Sequence, residues 1–196
     1  MRCFGSNYKT DAYFVANSVP SLFFLGFYTT IAFVFLPLYN ERRLSIGKTE
    51  ADKFANNVIT FYAIISLFLS IVGVVLAPKI ISLIAPAFDF RTKTLAINLT
   101  RIVCLSFVFN IIVGIFSSLQ YVNKRYFGQQ VIHLINNLMV LLSILIFAKD
   151  LGIYIIAISG VLSWVIQIPI QKYIFVKDFK YKINLNFNDT TFKKCR

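Results

Sequence analysis

Few residues of this sequence have the types and spacing that enzymatic chemistry requires. Its 196 residues include one histidine and three cysteines. Cys3, Cys104 and Cys195 show neither the CxxC spacing of a zinc site nor the pattern of a disulfide framework. The sequence has no HExxH motif, no glycine-rich phosphate loop, no paired carboxylates and no Ser/His/Asp arrangement in a recognisable context. It therefore predicts a protein that is not an enzyme and that uses no metal or cofactor.

Isolated polar residues beside or within long apolar stretches are the remaining candidates. Arg101 begins such a stretch, and a charge at membrane depth is a functional candidate by default, although snorkelling beside Arg91 and Lys93 is the favoured interpretation. Asp11 directly precedes the first apolar stretch, where we expect it to cap a helix. Asn136 lies within another stretch, and a hydrogen bond across a helix interface is its favoured role.

The distribution of charge indicates a membrane protein. Only 14% of the residues are charged, whereas a soluble domain carries about 25%. A bilayer core about 30 Å thick needs about 20 apolar residues per helix. Because charge-free runs of that length recur, a soluble enzyme and a DNA-binding domain are excluded, and the net charge of +12 does not indicate a nucleic-acid partner. The runs cover residues 12–40, 54–78, 102–123, 126–148 and 151–171.

The predicted fold is an all-α, polytopic transmembrane bundle over residues 1–176, with a basic cytoplasmic tail over 177–196. The runs are continuously apolar rather than alternating, which favours helices over barrel strands. Pro20 is expected to kink the first helix, and Pro37 and Asn40 to mark its end. The segment APAFDFRTK is expected to form a loop. The five predicted spanning helices cover about 12–38, 54–84, 97–120, 127–148 and 152–172.

The basic residues also predict an orientation in the membrane. With these five spans, 13 of the 20 Lys and Arg residues fall on the side of the C-terminal tail and seven on the opposite side. Because Lys and Arg accumulate in cytoplasmic loops, the tail is predicted to be cytoplasmic and the segment before the first span external. Such an N-terminus is typical of a chain in which a further helix precedes the first span.

The opening RCFGSNYKTDAYFVANSVP resembles the passage that joins the first two helices of MurJ/MviN-type lipid II flippases, members of the MOP exporter superfamily. Shorter similarities follow in the family's order: FVFLP at 33–37, APAFD at 85–89, LINNLMV at 134–140 and INLNFNDTTFKK near the end. The first passage matches the family pattern in register at Arg2, Phe4, Gly5, Thr10, Asp11, Ala12, Phe14, Val15, Ala16 and Pro20.

The resemblance implies a partial lobe of the MOP/MATE type, with the five spans corresponding to family helices two to six. It implies a multi-pass protein of the bacterial cell membrane that translocates a lipid-linked diphosphate saccharide by alternating access. Asp11, Pro20 and Asn136 would be associated with transport, and Arg101 could contact the anionic headgroup. Many family members have two arginines where this chain has Phe24 and Leu25.

Three interpretations stay open at this point. The chain could contribute to a lipid II flippase, to a flippase for another undecaprenyl-diphosphate-linked polysaccharide unit, or to a truncated membrane protein without transport activity. Membrane lipids are expected partners, and another chain could supply further helices. Asn56, Asn57, Asn110 and Asn136 are expected to have fewer polar partners here than a complete bundle would give them.

Overall fold

Helices make up every regular element that the structure describes. The structure is a computed structural model, and it describes residues 7–124, 126–175, 179 and 181–182. These residues contain no strand, so the all-α prediction is confirmed. The helices are α1 (Tyr8–Thr30), α2 (Leu36–Ser45), α3 (Lys48–Ile84), α4 (Phe90–Val122), α5 (Tyr126–Leu151) and α6 (Tyr154–Ile170), with π-helical segments at Ile31–Phe35 and Gln171–Phe175.

Four of the described helical segments are long and apolar enough to cross a membrane: Lys48–Ile84, Phe90–Val122, Gln130–Leu151 and Tyr154–Tyr173. They correspond to four of the five predicted spans. The remaining span, about 12–38, lies in α1, the first π-helical segment and the start of α2, several of whose side chains are outside the described part. The chain is a multi-pass membrane protein.

The first predicted helix ends later than the sequence indicated. Pro37 was expected to terminate it, but the chain stays helical from Tyr8 to Ser45. Proline removes a hydrogen-bond donor, and the wider π turn just before Pro37 rearranges the backbone bonds so that the helix can continue. The turn comes instead at Ile46 and Gly47, where a φ of +107° suits glycine.

The expected loop APAFDFRTK is also shorter than predicted, because α4 begins at Phe90 rather than near residue 97. Asp89 is the N-cap: its carboxylate accepts hydrogen bonds from the backbone N–H of Arg91 at 3.2 Å and from the Thr92 hydroxyl. The Thr92 hydroxyl and these backbone donors hold the pKa of Asp89 below its usual value. Helix α3 continues through Pro78 to Ile84, as predicted.

Helix α4 lies at the centre of the bundle and packs against α1, α3 and α6. Close approach is possible because small residues line these contacts. A Cβ atom added to Gly73 of α3 would come within 2.9 Å of the Cys104 sulfur on α4, and the Ser70 hydroxyl donates to the Cys104 carbonyl at 2.8 Å. Helix α5 contacts mainly α6 and follows α4 in the chain without packing closely on it.

The described residues of the predicted tail fold back onto α3 and α4. Phe179 is buried, with its ring centroid 6.2 Å from that of Phe116. The Tyr181 hydroxyl lies 3.0 Å from that of Thr60, and the Lys182 backbone N–H donates to Asn56 Oδ1 at 3.2 Å. Asn56 therefore has a hydrogen-bond partner within the chain, and whether a complete bundle would give it more stays a prediction. The rest of 177–196 lies outside the described residues, and its cytoplasmic location stays a prediction.

Candidate functional site

A polar groove opens between helices α1, α4, α5 and α6. Its volume is about 560 Å³. Aliphatic side chains form part of the wall, and hydroxyl and amide groups face one another within it. The polar lining residues are Tyr13, Asn17 and Ser21 of α1, Ser106 and Asn110 of α4, and Asn136 and Asn137 of α5.

On the α4 wall, Ser106 and Asn110 lie one helical turn apart and therefore share a face. The Asn110 amide nitrogen donates to the Ser106 carbonyl at 3.0 Å and lies 3.2 Å from its hydroxyl oxygen. The buried Asn110 Oδ1 has no hydrogen-bond partner among the described residues. In the absence of bulk water, an unsatisfied amide oxygen is costly, so this wall favours an additional hydrogen-bond donor.

On the other side, a polar contact joins α5 to α6. Asn136 Oδ1 accepts a hydrogen bond from the Ser163 hydroxyl and another from Gln167 Nε2 at 3.3 Å. Ser163, Gln167 and Gln171 are spaced four residues apart, so they follow one face of α6 and the π turn after it. The buried Gln167 Oε1 is unpaired within the described part of the chain.

The described groove lining contains no charged residue. Hydroxyl and amide groups can bind hydroxyl or amide groups of a ligand or of a neighbouring helix. A diphosphate is bound best by guanidinium and ammonium groups, which this lining lacks. The groove by itself is therefore suited to neutral polar groups.

The structure separates the four residues that the sequence selected. Pro20 is buried in α1 and lines the groove, where Asn136 lies on α5. Asp11 and Arg101 are exposed and belong to neither wall. The structure thus brings Pro20 and Asn136 into one groove and leaves Asp11 and Arg101 outside it. The association of these residues with transport stays a prediction.

The expected capping role of Asp11 is wrong because α1 begins at Tyr8, three residues before it. Asn7 provides the cap instead: its Oδ1 accepts hydrogen bonds from the backbone N–H of Lys9 at 2.9 Å and of Thr10 at 3.3 Å. Asp11 lies in the first turn, where a negative charge interacts favourably with the helix dipole.

Sequence reasoning missed several groove residues. Ser106 and Asn110 line the groove on α4, whereas Ser163 and Gln167 of α6 bond to Asn136 from outside the groove lining. The members of each pair are spaced by four, which indicates one polar face per helix. That spacing could have identified the faces but not which helices they meet. Asn137, which follows Asn136 on α5, also lines the groove and is exposed.

Comparisons with known proteins identify the relatives of this chain. The family model described as "Lipid II flippase MurJ" matches residues 1–196, which confirms the resemblance found in the motifs. The chain is 30% identical over 149 residues to the lipid II flippase MurJ of Thermosipho africanus, covering 74% of this chain and 30% of the relative. It is 24% identical over 185 residues to a probable lipid II flippase MurJ of Aquifex aeolicus, covering 92% and 36%.

A solved structure shares the fold. It is a lipid II flippase MurJ in an inward closed conformation, with a TM-score of 0.76 and 24% sequence identity. The match covers 96% of this chain and 40% of the solved chain. This chain therefore spans about a third of the length of the two curated relatives and less than half of the solved structure.

Proposed function

Since the chain belongs to the lipid II flippase MurJ family, we propose that it is part of a transporter that moves lipid II across the bacterial cell membrane. The observation that carries this proposal is the family match over residues 1–196. The transported molecule would be a lipid-linked diphosphate saccharide used in peptidoglycan synthesis. The chain would act by binding and movement rather than as an enzyme.

The proposed mechanism is alternating access, in which two helical lobes move against each other around a central site. This chain would supply most of one lobe. Its uncharged groove would hold polar groups of the saccharide or of a neighbouring helix, and Pro20 and Asn136 would contribute to its walls. Asp11 would act near the external end of α1, and Arg101, exposed on α4, could contact the anionic headgroup from outside the groove.

We further propose that additional membrane helices complete the groove. The buried Asn110 Oδ1 supports this, because Asn110 lines the groove and its amide oxygen is unpaired among the described residues, so it would gain a donor from a polar helix face.

Complementation in cells depleted of their own flippase tests this proposal. We expect that the chain alone does not restore growth, because it forms only part of one lobe. Coexpression with the remaining helices of a full-length relative should restore growth, and Asn136→Leu should reduce the rescue more than Leu138→Ala does. Immunoblots of membranes must show equal insertion. Rescue by the chain alone would contradict the need for further helices, and failure of the completed transporter would contradict the proposed function.

A flippase for another undecaprenyl-diphosphate-linked saccharide is the alternative in the same class. The uncharged groove lining does not select one saccharide over another. A lipid II translocation assay with the completed transporter distinguishes the two. Lipid II movement supports the proposal, whereas movement of an O-antigen or capsule precursor without lipid II would favour the alternative.

Reporter fusions test the proposed orientation of the chain in the membrane. A cytoplasm-active reporter fused after Arg196 should be active, whereas the same reporter inserted in the 85–89 loop should be inactive. This result follows from the larger number of Lys and Arg residues on the side of the tail. The opposite pattern would contradict the proposed cytoplasmic location of 177–196.

A further inference from the structure

A second cavity lies at the end of the bundle opposite the turn between α2 and α3. Its volume is about 700 Å³. The start of α1, the start of α4 and the connection between α5 and α6 surround it, with Lys9, Arg91 and Lys149 among its lining residues. We call this cavity the basic pocket. It is separate from the polar groove, whose described lining is uncharged.

Within the described part of the chain, ion pairs do not neutralise the positive charges of the basic pocket. Asp150 is the single acidic residue in the described lining, against the three basic residues. No ion pair among the described residues involves Lys9, Arg91 or Lys149. Three basic side chains around one cavity, with one carboxylate beside them, produce a positive potential that attracts an anion.

Arg91 is held in a position that suits a phosphate. Its guanidinium carbon lies 4.9 Å from the centroid of the Tyr8 ring, so the ring restrains the guanidinium through a cation–π contact. Such stacking occupies the face of the group and leaves its N–H edge available. That edge donates parallel hydrogen bonds to phosphate oxygens.

The rest of the lining suits the interfacial part of a lipid. Phe90 is 87% exposed and Leu151 is 45% exposed beside the cationic groups, and the Tyr154 ring lies nearby. Exposed aromatic and aliphatic side chains at the end of a spanning helix are stable where the headgroups meet the acyl chains. A soluble anion would use the cations and leave these apolar groups in water.

Membrane orientation alone does not explain these charges. The proposed orientation puts this end outside, where the positive-inside rule predicts few Lys and Arg residues. We propose that the basic pocket binds the phosphate of an anionic lipid headgroup in the outer leaflet. The leaflet rests on the orientation proposed above, whereas the binding chemistry rests on the pocket itself.

Native mass spectrometry of the purified full chain in detergent tests this proposal, with phosphatidylglycerol as the probe. The test variant is Arg91→Gln with Lys149→Gln. Its matched control is Lys79→Gln with Lys93→Gln, which removes the same charge at the same end of the bundle from residues outside the pocket lining. We expect the dissociation constant for phosphatidylglycerol to rise at least tenfold in the test variant and less than twofold in the control.

Circular dichroism controls for folding of the variants, and pyrophosphate binding tests whether the pocket prefers a lipid to a soluble anion. Circular dichroism must show equal helix content, and if the double variant does not fold, Lys9→Gln and Lys149→Gln are compared singly with Lys79→Gln. Equal weakening in test and control variants would contradict a specific pocket, as would no weakening in either. Binding of inorganic pyrophosphate with the same dependence on Arg91, without binding of phosphatidylglycerol, would overturn the lipid assignment.

Discussion

Helices α4 and α5 follow each other in the chain and have nearly equal mean hydropathy, but they differ in burial. Other helices enclose α4, whereas few residues of α5 are buried. In their most apolar stretches, 72% of the α4 residues are buried but only 6% of those in α5. In a membrane, apolar content alone does not bring helices together, because lipid is equally apolar. Packing depends on small and polar residues, as at Cys104, Gly114 and Ser117 of α4, whereas α5 presents Leu141 and Leu145 to its surroundings.

Large-to-small substitutions should give the largest difference between the two helices. Ile111→Ala should destabilise the chain by about 2–4 kcal/mol, because it leaves a cavity among residues of α3 and α4. Leu145→Ala, at a side chain that is 67% exposed, should change stability by less than about 0.5 kcal/mol. Unfolding in mixed micelles measures both values. Equal losses would contradict the packing difference between α4 and α5.

Loss of one hydrogen bond between α2 and α3 should have the next largest effect on the stability of the chain. The Tyr39 hydroxyl donates to Asp52 Oδ1 at 2.7 Å and joins α2 to α3. Burial, the hydrogen bond to Asp52 and the charge of Asp52 raise the pKa of Tyr39 well above its usual value, so the donor stays protonated. Tyr39→Phe should cost about 1–2 kcal/mol.

A double-mutant cycle with Asp52→Ala checks the assignment to this bond. Because both substitutions remove the same hydrogen bond, their effects should not be additive, and the coupling should account for most of the Tyr39→Phe loss. Additive effects in the mixed-micelle unfolding assay would show that the bond contributes little.

Loss of the Ser163 hydroxyl on α6 should weaken the packing of α5 further. Ser163→Ala removes a donor to Asn136, and cross-helix hydrogen bonds in membranes contribute about 0.6 kcal/mol on average. We expect faster hydrogen exchange in α5 and unchanged exchange in α3 and α4. Ser159→Ala is the matched control, because that buried hydroxyl bonds to the Ile156 carbonyl of its own helix at 3.2 Å. Equal effects in both variants would contradict the cross-helix role.

The smallest expected effect is at the N-terminus of α4 and depends on pH. The Thr92 hydroxyl and the backbone N–H groups lower the pKa of Asp89 in the folded chain below the unfolded value of about 3.9. The cap therefore stabilises α4 at neutral pH, and this contribution decreases as the pH falls below about 4 and through the folded pKa.

Hydrogen exchange of the Lys93 amide, which bonds to the Asp89 carbonyl at 2.9 Å, measures this effect. Relative to Asp89→Asn at each pH, the original chain should lose its extra protection on acidification. A difference that stays constant down to pH 3 would show that the charge of the Asp89 carboxylate does not support the cap.

The sequence predicted the all-helical nature and the order of the spans, because bilayer thickness imposes a length that charge-free runs reveal. Four of the five predicted spans correspond to described helical segments that are long and apolar enough to cross a membrane. It did not predict where the helices end, because apolar residues mark only the part of a helix that lies inside the membrane. The helices continue beyond that part. Asn7 and Asp89 extend α1 and α4 beyond their apolar runs by capping free backbone N–H groups. The π turn before Pro37 likewise carries the first helix to Ser45.

The candidate site was only partly predictable for a different reason. Asn136 stood out as a polar residue in an apolar run, but its partners, Ser163 and Gln167, lie on the next helix. Spacing identifies a polar face and not the helix that it meets. Arg101 was a candidate because it is a charged residue near a span. Its side chain is exposed and lies outside the groove, which its position in the sequence did not reveal.

Accessibility of the groove tests most directly the claim that further helices complete it. The natural cysteines would be replaced by serine or alanine, and a single cysteine introduced at Ser106 in the groove or at Ile115 in the core. A water-soluble maleimide should label position 106 in the chain alone, and coexpression with the remaining helices of a relative should protect it. Position 115, fully buried, should be unlabelled in both cases. Equal labelling of position 106 with and without those helices would contradict the account.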